Sequence, residues 1–314
     1  MTIPEPIGAL SPDDEALTPR DHATPPDRGS RVRPWQRSRV LKRLLRNKVA
    51  VTSMVVLALL VLVAIFGDLL APQDPNKVSL SLRLMGPSGD HWLGTDELGR
   101  DVLSRLIVAT RVDLLASLQA VGLALAIGVP LGVAAGYFAG WVDAVLSRVI
   151  DALMTLPPLI LAVVIVAILG PGLRNAMLAI AVLIAPSFYR VVRASTQSAR
   201  SELYIESARA SGCTSWRILW RHILPAVAPP LLVQASFSAS VVIVAEASLS
   251  FLGLGARAPQ ATWGLMLNEA SSNLTTSSYL IYPPTVMVAI TILALSLLGD
   301  GLRDALGRQT TDGR

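Results

Sequence analysis

Few side chains in this sequence have types and spacings that suggest chemistry. Glu246 is the one carboxylate set well inside a long apolar run, Val227–Phe251. A carboxylate is costly in hydrocarbon, so it is a candidate for holding a substrate or proton, and equally for a buried hydrogen bond. Asp90, His91, Asp96, Glu97 and Asp101 form an acid-rich set whose oxygens suit a hard cation in principle, although their spacing fits no known ligand loop. His22 and His222 lie far from that set, and the single Cys213 excludes an intrachain disulfide or a cysteine metal cluster. The chain contains no G-x-x-x-x-G-K-[ST] phosphate loop, no G-x-S-x-G elbow and no H-E-x-x-H helix. The reading predicts no catalytic residue, no metal site and no cofactor, and without a phosphate loop any ATP chemistry would fall to a partner.

One polar segment carries a readable pattern. Tyr204 to Pro225, YIESARASGCTSWRILWRHILP, lies between long apolar runs. Ser201 is placed to cap a short helix whose first turn carries Glu202 and Glu206, at the positive end of the helix dipole. Gly212 then ends it, since glycine takes the left-handed conformation that closes helices. In a second helix Trp216, Leu219, Trp220 and Ile223 share one face, with Arg217 and Arg221 opposite, as in a helix lying at a membrane interface. Pro225 suits the first turn of the next span. The segment reads either as a docking device for another protein or as an amphipathic loop between spans.

The elements that position these residues are membrane spans. With 52% hydrophobic and 16% charged residues and a mean hydropathy of +0.55, the composition departs from that of soluble domains. Six apolar runs, Val49–Leu70, Leu114–Tyr137, Val145–Leu169, Ala176–Val192, Val227–Phe251 and Tyr279–Leu298, each approach the ~20 residues that cross a bilayer. The net charge of +5 reflects basic residues beside these runs, with few aromatics, which argues against nucleic acid as a partner. Arg37, Arg39, Lys42, Arg43, Arg46 and Lys48 precede the first run without an acid among them. They read as a signal that keeps the N-terminus cytoplasmic, with recognition of an anionic lipid as the alternative. Six crossings return the C-terminus, with Arg303, Arg308 and Arg314, to the same side. Five basic residues between Ala71 and Asp113 (Lys77, Arg83, Arg100, Arg105 and Arg111) run against this orientation.

Within the second run Gly128, Gly132, Gly136 and Gly140 recur every four residues, a ridge along which helices approach closely. It serves either sliding during transport or packing inside one subunit. Pro157, Pro158 and Pro186 free backbone groups that neighbours must satisfy, as kinks along a pathway or as simple bends. Residues 1 to 34 hold seven prolines and little apolar content, so residues 1–36 are expected to form a disordered tail.

The Tyr204 segment resembles the cytoplasmic loop of binding-protein-dependent ABC importer permeases, E-A-A-x3-G-x9-I-x-L-P. Glu206, Ala208, Gly212, Leu224 and Pro225 fall in register, while Ser207 and His222 depart from it. His91 to Ile107 (HWLGTDELGRDVLSRLI), Glu246 to Gly255 (EASLSFLGLG), Pro259, Trp263-Gly264 and Leu298 to Arg303 (LGDGLR) extend the resemblance to C-type permeases of the dipeptide/oligopeptide/nickel branch. The resemblance implies an all-α integral membrane protein with six transmembrane helices, the type I ABC importer core and cytoplasmic termini. Residues 37–110 would form the basic segment, first span and extracytoplasmic loop. Residues 111–300 would form the transmembrane domain with its coupling loop at 201–225, and residues 301–314 a cytoplasmic tail. It further implies a multi-pass protein of the cytoplasmic membrane. Its partners would be a homologous permease, two ATP-binding subunits, an extracytoplasmic solute-binding protein, membrane lipid and a peptide substrate, with nickel or another small solute as the alternative. ATPase docking is expected at Glu206, Ala208 and Gly212, flanked by Tyr204 and Arg209. A secondary transporter working through Glu246 is the reading from a different class, and it would call for an inverted repeat that the chain lacks.

Overall fold

The computed structural model describes residues 42–307, so the expected N-terminal tail, Arg37, Arg39, Arg308 and Arg314 lie outside the described residues. Within them the chain is helical, and extended pairing is limited to one isolated bridge between Thr95 and Asp101. Helices dominate because a span in hydrocarbon must satisfy every backbone N–H and C=O internally.

Helix α1 (Lys48–Leu70) starts at Asn47, whose Oδ1 accepts from the amides of Val49 and Ala50. Helix α2 (Val102–Phe138) starts at Asp101, which accepts from the Ser104 amide at 2.8 Å. These are the side-chain acceptors that open helix ends need. Then follow α3 (Gly140–Met154), α4 (Pro158–Leu169), α5 (Leu173–Arg200) and the short α6 (Leu203–Ala210). Helix α7 (Ser215–Ile218) continues through a π-turn, Leu219–Ile223, into α8 (Leu224–Phe251). Helix α9 (Trp263–Ser272) precedes the last span, α10 (Tyr282–Gly307).

Among the described residues five helical stretches are long and apolar enough to cross a membrane, and α3 with α4, bent by 92°, makes a sixth if it crosses as one. The expected continuous third span, Val145–Leu169, is therefore broken. Neither Pro157 nor Pro158 can donate a helical hydrogen bond, and a residue before proline is pushed out of the helical region. Pro157 is accordingly extended (φ −57°, ψ 127°), and Pro158 restarts the helix in its first turn. By contrast Pro186 lies inside the unbroken α5. The second span begins at Val102, well before the expected Leu114. Its added turns pack Val102, Leu106 and Ala109 against Trp263 and Met266. Its 37 residues span about 55 Å, against about 30 Å of hydrocarbon, so α2 extends beyond the membrane.

Helices α2 and α5 run parallel at the centre of the bundle. An added Cβ at Gly128 would lie 2.7 Å from the Cβ of Phe188, at Gly132 2.7 Å from that of Val192, and at Gly136 2.6 Å from that of Thr196. These contacts are within one chain, so the ridge packs the subunit together. Gly140 does not belong to it: it has a φ of +58°, meets open space and begins α3. At the bundle's edge α1 and α10 run antiparallel, with a Cβ at Gly301 falling 2.6 Å from that of Ala50. Leu44, Ala50 and Ala305 close that contact, so the two described chain ends meet at one end of the bundle.

Candidate docking loop and buried polar clusters

The Tyr204 segment folds as a short helix closed by glycine. Ser201 does not cap it: its backbone (φ −83°, ψ 0°) ends α5, and its hydroxyl donates to Ser198 O at 2.8 Å. With two residues between the helices, Glu202 takes the N-cap position and Glu206 falls in the first turn. At the other end Gly212 has φ +76°. Its amide donates to Arg209 O (3.0 Å), and the Cys213 amide donates to Ala208 O (3.1 Å). This pair of bonds satisfies carbonyls that the helix end leaves open, and it requires a left-handed residue at position 212. A Cβ there would meet nothing within 4 Å.

Helix α6 stands on a single apolar peg. Ile205 is fully buried in a cluster with Val133 and Tyr137 of α2, Val192 of α5, Ile218 of α7, Ile223 of the π-turn and Val227 of α8. Glu206, Ser207 and Arg209 are exposed and Ala208 is half-buried. The Arg209 guanidinium lies 5.7 Å from the centre of the Tyr137 ring, within cation–π range. Tyr204 faces His222, the residue that departs from the family pattern, with ring centres 6.0 Å apart. Burial pushes the Tyr204 phenol above its usual range, with the nearby Glu202 carboxylate adding to it. Tyr204, Glu206, Ala208, Arg209 and Gly212 thus share one helix and its cap.

The second helix departs from the expected apolar face. Ile218 and Ile223 are buried, while Trp216 and Trp220 are exposed and pack on each other with ring centres 5.5 Å apart. The π-turn is the cause, because it places residues five apart above one another.

At the opposite end of the bundle two members of the acid-rich set, Asp96 and Asp101, are committed to arginines, a hydroxyl and a histidine. Arg100 pairs with Asp96 (2.6 Å) and Glu269 (3.1 Å), and the fully buried Arg105 pairs with Glu269 (3.2 Å) and Asp96 (3.4 Å). Asp101 accepts from the Ser104 hydroxyl at 2.7 Å and bonds His91 Nδ1 at 2.9 Å. Burial pushes the Glu269 carboxyl above its usual range, against the pull of Arg105 and Arg100. The network holds two of the five basic residues that ran against the orientation rule, Arg100 and Arg105, and Arg111 reaches Asp68 at 3.5 Å.

Glu246 sits apart from the docking loop, in a second buried group. It is 2% exposed and accepts from the Ser250 hydroxyl at 2.7 Å, while Ser250 Oγ accepts from the Ala256 amide at 3.1 Å. Its carboxyl faces the Asp113 carboxyl and the Thr262 hydroxyl, and Asp113 Oδ1 is buried without a hydrogen-bond partner among the described residues. Asp113 in turn accepts from the Trp263 amide at 2.9 Å. The group ties α2, α8 and the start of α9 together. Reading along the sequence missed Asp113 and Ile205. The signal for Ile205 was an isolated branched aliphatic in a polar helix, whereas nothing local marks Asp113.

Residues 128–312 match the family described as binding-protein-dependent transport system inner membrane component. Residues 33–87 match the N-terminal TM domain of oligopeptide transport permease C. The chain is 39% identical to the dipeptide transport system permease protein DppC of Alkalihalophilus pseudofirmus over 92% of its own length and 95% of the relative's. It is 42% identical to the glutathione transport system permease protein GsiD of Pectobacterium atrosepticum, over 87% and 90%. Among solved structures, the MetNI methionine ABC transporter in inward-facing conformations shares the fold with a TM-score of 0.52 at 19% identity, covering 64% of this chain and 96% of that one. The helical bundle is thus the type I ABC importer permease fold in a multi-pass membrane protein. The chain belongs to the family of binding-protein-dependent transport system inner membrane components, in the branch that carries the oligopeptide permease C N-terminal domain.

Proposed function

We propose that this chain is one of two permease subunits of an ATP-driven importer that carries di- or oligopeptides across the cytoplasmic membrane. Two relatives named for dipeptide and glutathione transport, both peptide cargoes, support that substrate class. In this reading a homologous permease completes the pathway, two ATP-binding subunits hydrolyse ATP, and a solute-binding protein delivers cargo to the His91 face. Residues 37–110 form the basic segment, first span and outer loop. Residues 111–300 form the transmembrane domain with its loop at 201–225, and both termini are cytoplasmic. Glu246 serves as a structural hydrogen-bonding group.

The observation that carries the reading is the build of α6. It offers Glu206, Arg209 and the bare backbone at Gly212 outward, while Ile205 fixes it to three spans. An ATPase that grips the exposed side and closes on nucleotide moves the peg, and with it the ends of α2, α5 and α8. Import then needs two packings of the bundle separated by a few kcal/mol and biased by nucleotide. Gly212→Asp tests this, since aspartate tolerates the left-handed conformation but adds bulk and charge at the docking face. Affinity purification in mild detergent is expected to recover a second permease and ATPases with the native chain and to lose the ATPases with the variant. Unchanged co-purification and peptide uptake by Gly212→Asp would defeat the docking assignment.

A further inference from the structure

A groove of about 340 Å³ runs along the outside of the bundle between α1 and α10. Both helices are candidate membrane spans, so it opens towards hydrocarbon. Its floor is small and closed: Ser53 and Ala294 are 3% and 5% exposed. The Ser53 hydroxyl donates to Val49 O at 2.8 Å and the Thr52 hydroxyl to Lys48 O at 2.9 Å, so both are spent on their own helix. The walls are branched aliphatics, chiefly Leu293 and Leu297. Such a channel accepts a methylene chain and offers nothing to a polar ligand.

The groove ends at Lys48, the first residue of α1, and Arg46, two residues earlier in the chain, is exposed. Among the described residues neither forms an ion pair, with Asp300 and Asp304 of α10 or with any other acid. The α1 amides there are already taken by Asn47. An apolar slot that terminates in two unanswered cations at a helix end matches a ligand with a hydrocarbon tail and an anionic head. Free phosphate would leave the slot empty, and a zwitterionic lipid would leave the cations without net countercharge.

We propose that this groove binds an anionic phospholipid, one acyl chain lying along Ser53 and Ala294 and the phosphate meeting Lys48 and Arg46. The site goes beyond transport of cargo and does not depend on it. To test it, the assembled transporter is purified, delipidated and titrated with dioleoylphosphatidylglycerol or dioleoylphosphatidylcholine, with bound lipid counted by native mass spectrometry. Phosphatidylglycerol is expected to bind more tightly. Lys48→Gln, at an exposed position, is expected to weaken it about fivefold, the effect of one basic residue near an anionic head, and to leave phosphatidylcholine unchanged. Thr52→Phe, which fills the groove's head end from another exposed position, is expected to weaken both lipids. Equal affinity for the two lipids overturns the proposal. So does a phosphatidylglycerol adduct indifferent to both substitutions, the result expected if a second protein subunit covers the groove.

Discussion

Ile205→Ala separates gripping α6 from transmitting its motion. The substitution leaves every exposed residue of α6 in place and removes the peg that joins it to α2, α5 and α8. Ile205 is fully buried, so truncation loses its transfer free energy and leaves a cavity, about 2–5 kcal/mol for Ile→Ala. An eight-residue helix has little stability of its own, so the loss falls on the docking of α6 against the bundle rather than on the bundle itself. In proteoliposomes containing all subunits, the ATPases are expected to remain bound and to hydrolyse ATP, while peptide uptake per ATP falls at least tenfold. Ile205→Val, costing about 0.5–1.5 kcal/mol, is expected to retain most coupling. Uptake that tracks ATP hydrolysis in Ile205→Ala as it does in the native chain would refute transmission through this residue.

Three further outcomes are expected. Gly132→Val forces a side chain into a space where even a Cβ lies 2.7 Å from Val192, so it should cost at least about 1–3 kcal/mol and lower the thermal unfolding midpoint in detergent; Gly122→Ala, on the same helix in open space, should not. Glu246→Gln keeps an acceptor for Ser250 and is expected to fold and transport, whereas Glu246→Leu strands the Ser250 hydroxyl at about 1–3 kcal/mol; a folded but inactive Gln variant would instead give Glu246 an ionisable role. Arg105→Leu removes a guanidinium buried against Glu269 and Asp96 and is expected to destabilise by about 3–5 kcal/mol, with Arg105→Leu/Glu269→Leu recovering part of it in a double-mutant cycle of unfolding midpoints.

What was legible in the sequence was whatever a short window can encode. Gly212 showed the end of α6 because a helix stop is a local event, and the Gly128–Gly136 spacing showed a ridge because one helix carries it. Contacts between distant segments were not legible. Arg105 and Glu269 are 164 positions apart and Asp113 and the Trp263 amide 150, so the start of α2 looked like a charged loop. Pro157 and Pro158 were visible, but the angle between the segments they separate depends on what α3 and α4 pack against. The separation of Ile223 from the tryptophan face came from one extra residue in a turn, which apolar periodicity does not report. Ser201 was assigned to the wrong helix because two helix ends lie two residues apart and serine suits either.

The glycine ridge also decides which parts of the subunit can yield. Side chains at an ordinary helix contact act as springs, and changing rotamers lets one helix roll on the other. Between α2 and α5 that layer is missing over three successive glycines, so backbone rests almost directly on side-chain roots. The pair behaves as one stiff strut that tilts as a whole. Beside the strut the chain turns through a 92° elbow at Thr155–Pro157 with no helical hydrogen bond across the break, its first arm tied to the strut by Asp143 and Arg193 and its second seated on it through Ala162 and Val166. A subunit built on one rigid beam has few ways to move, and a push at Ile205 therefore selects among a small set of shapes.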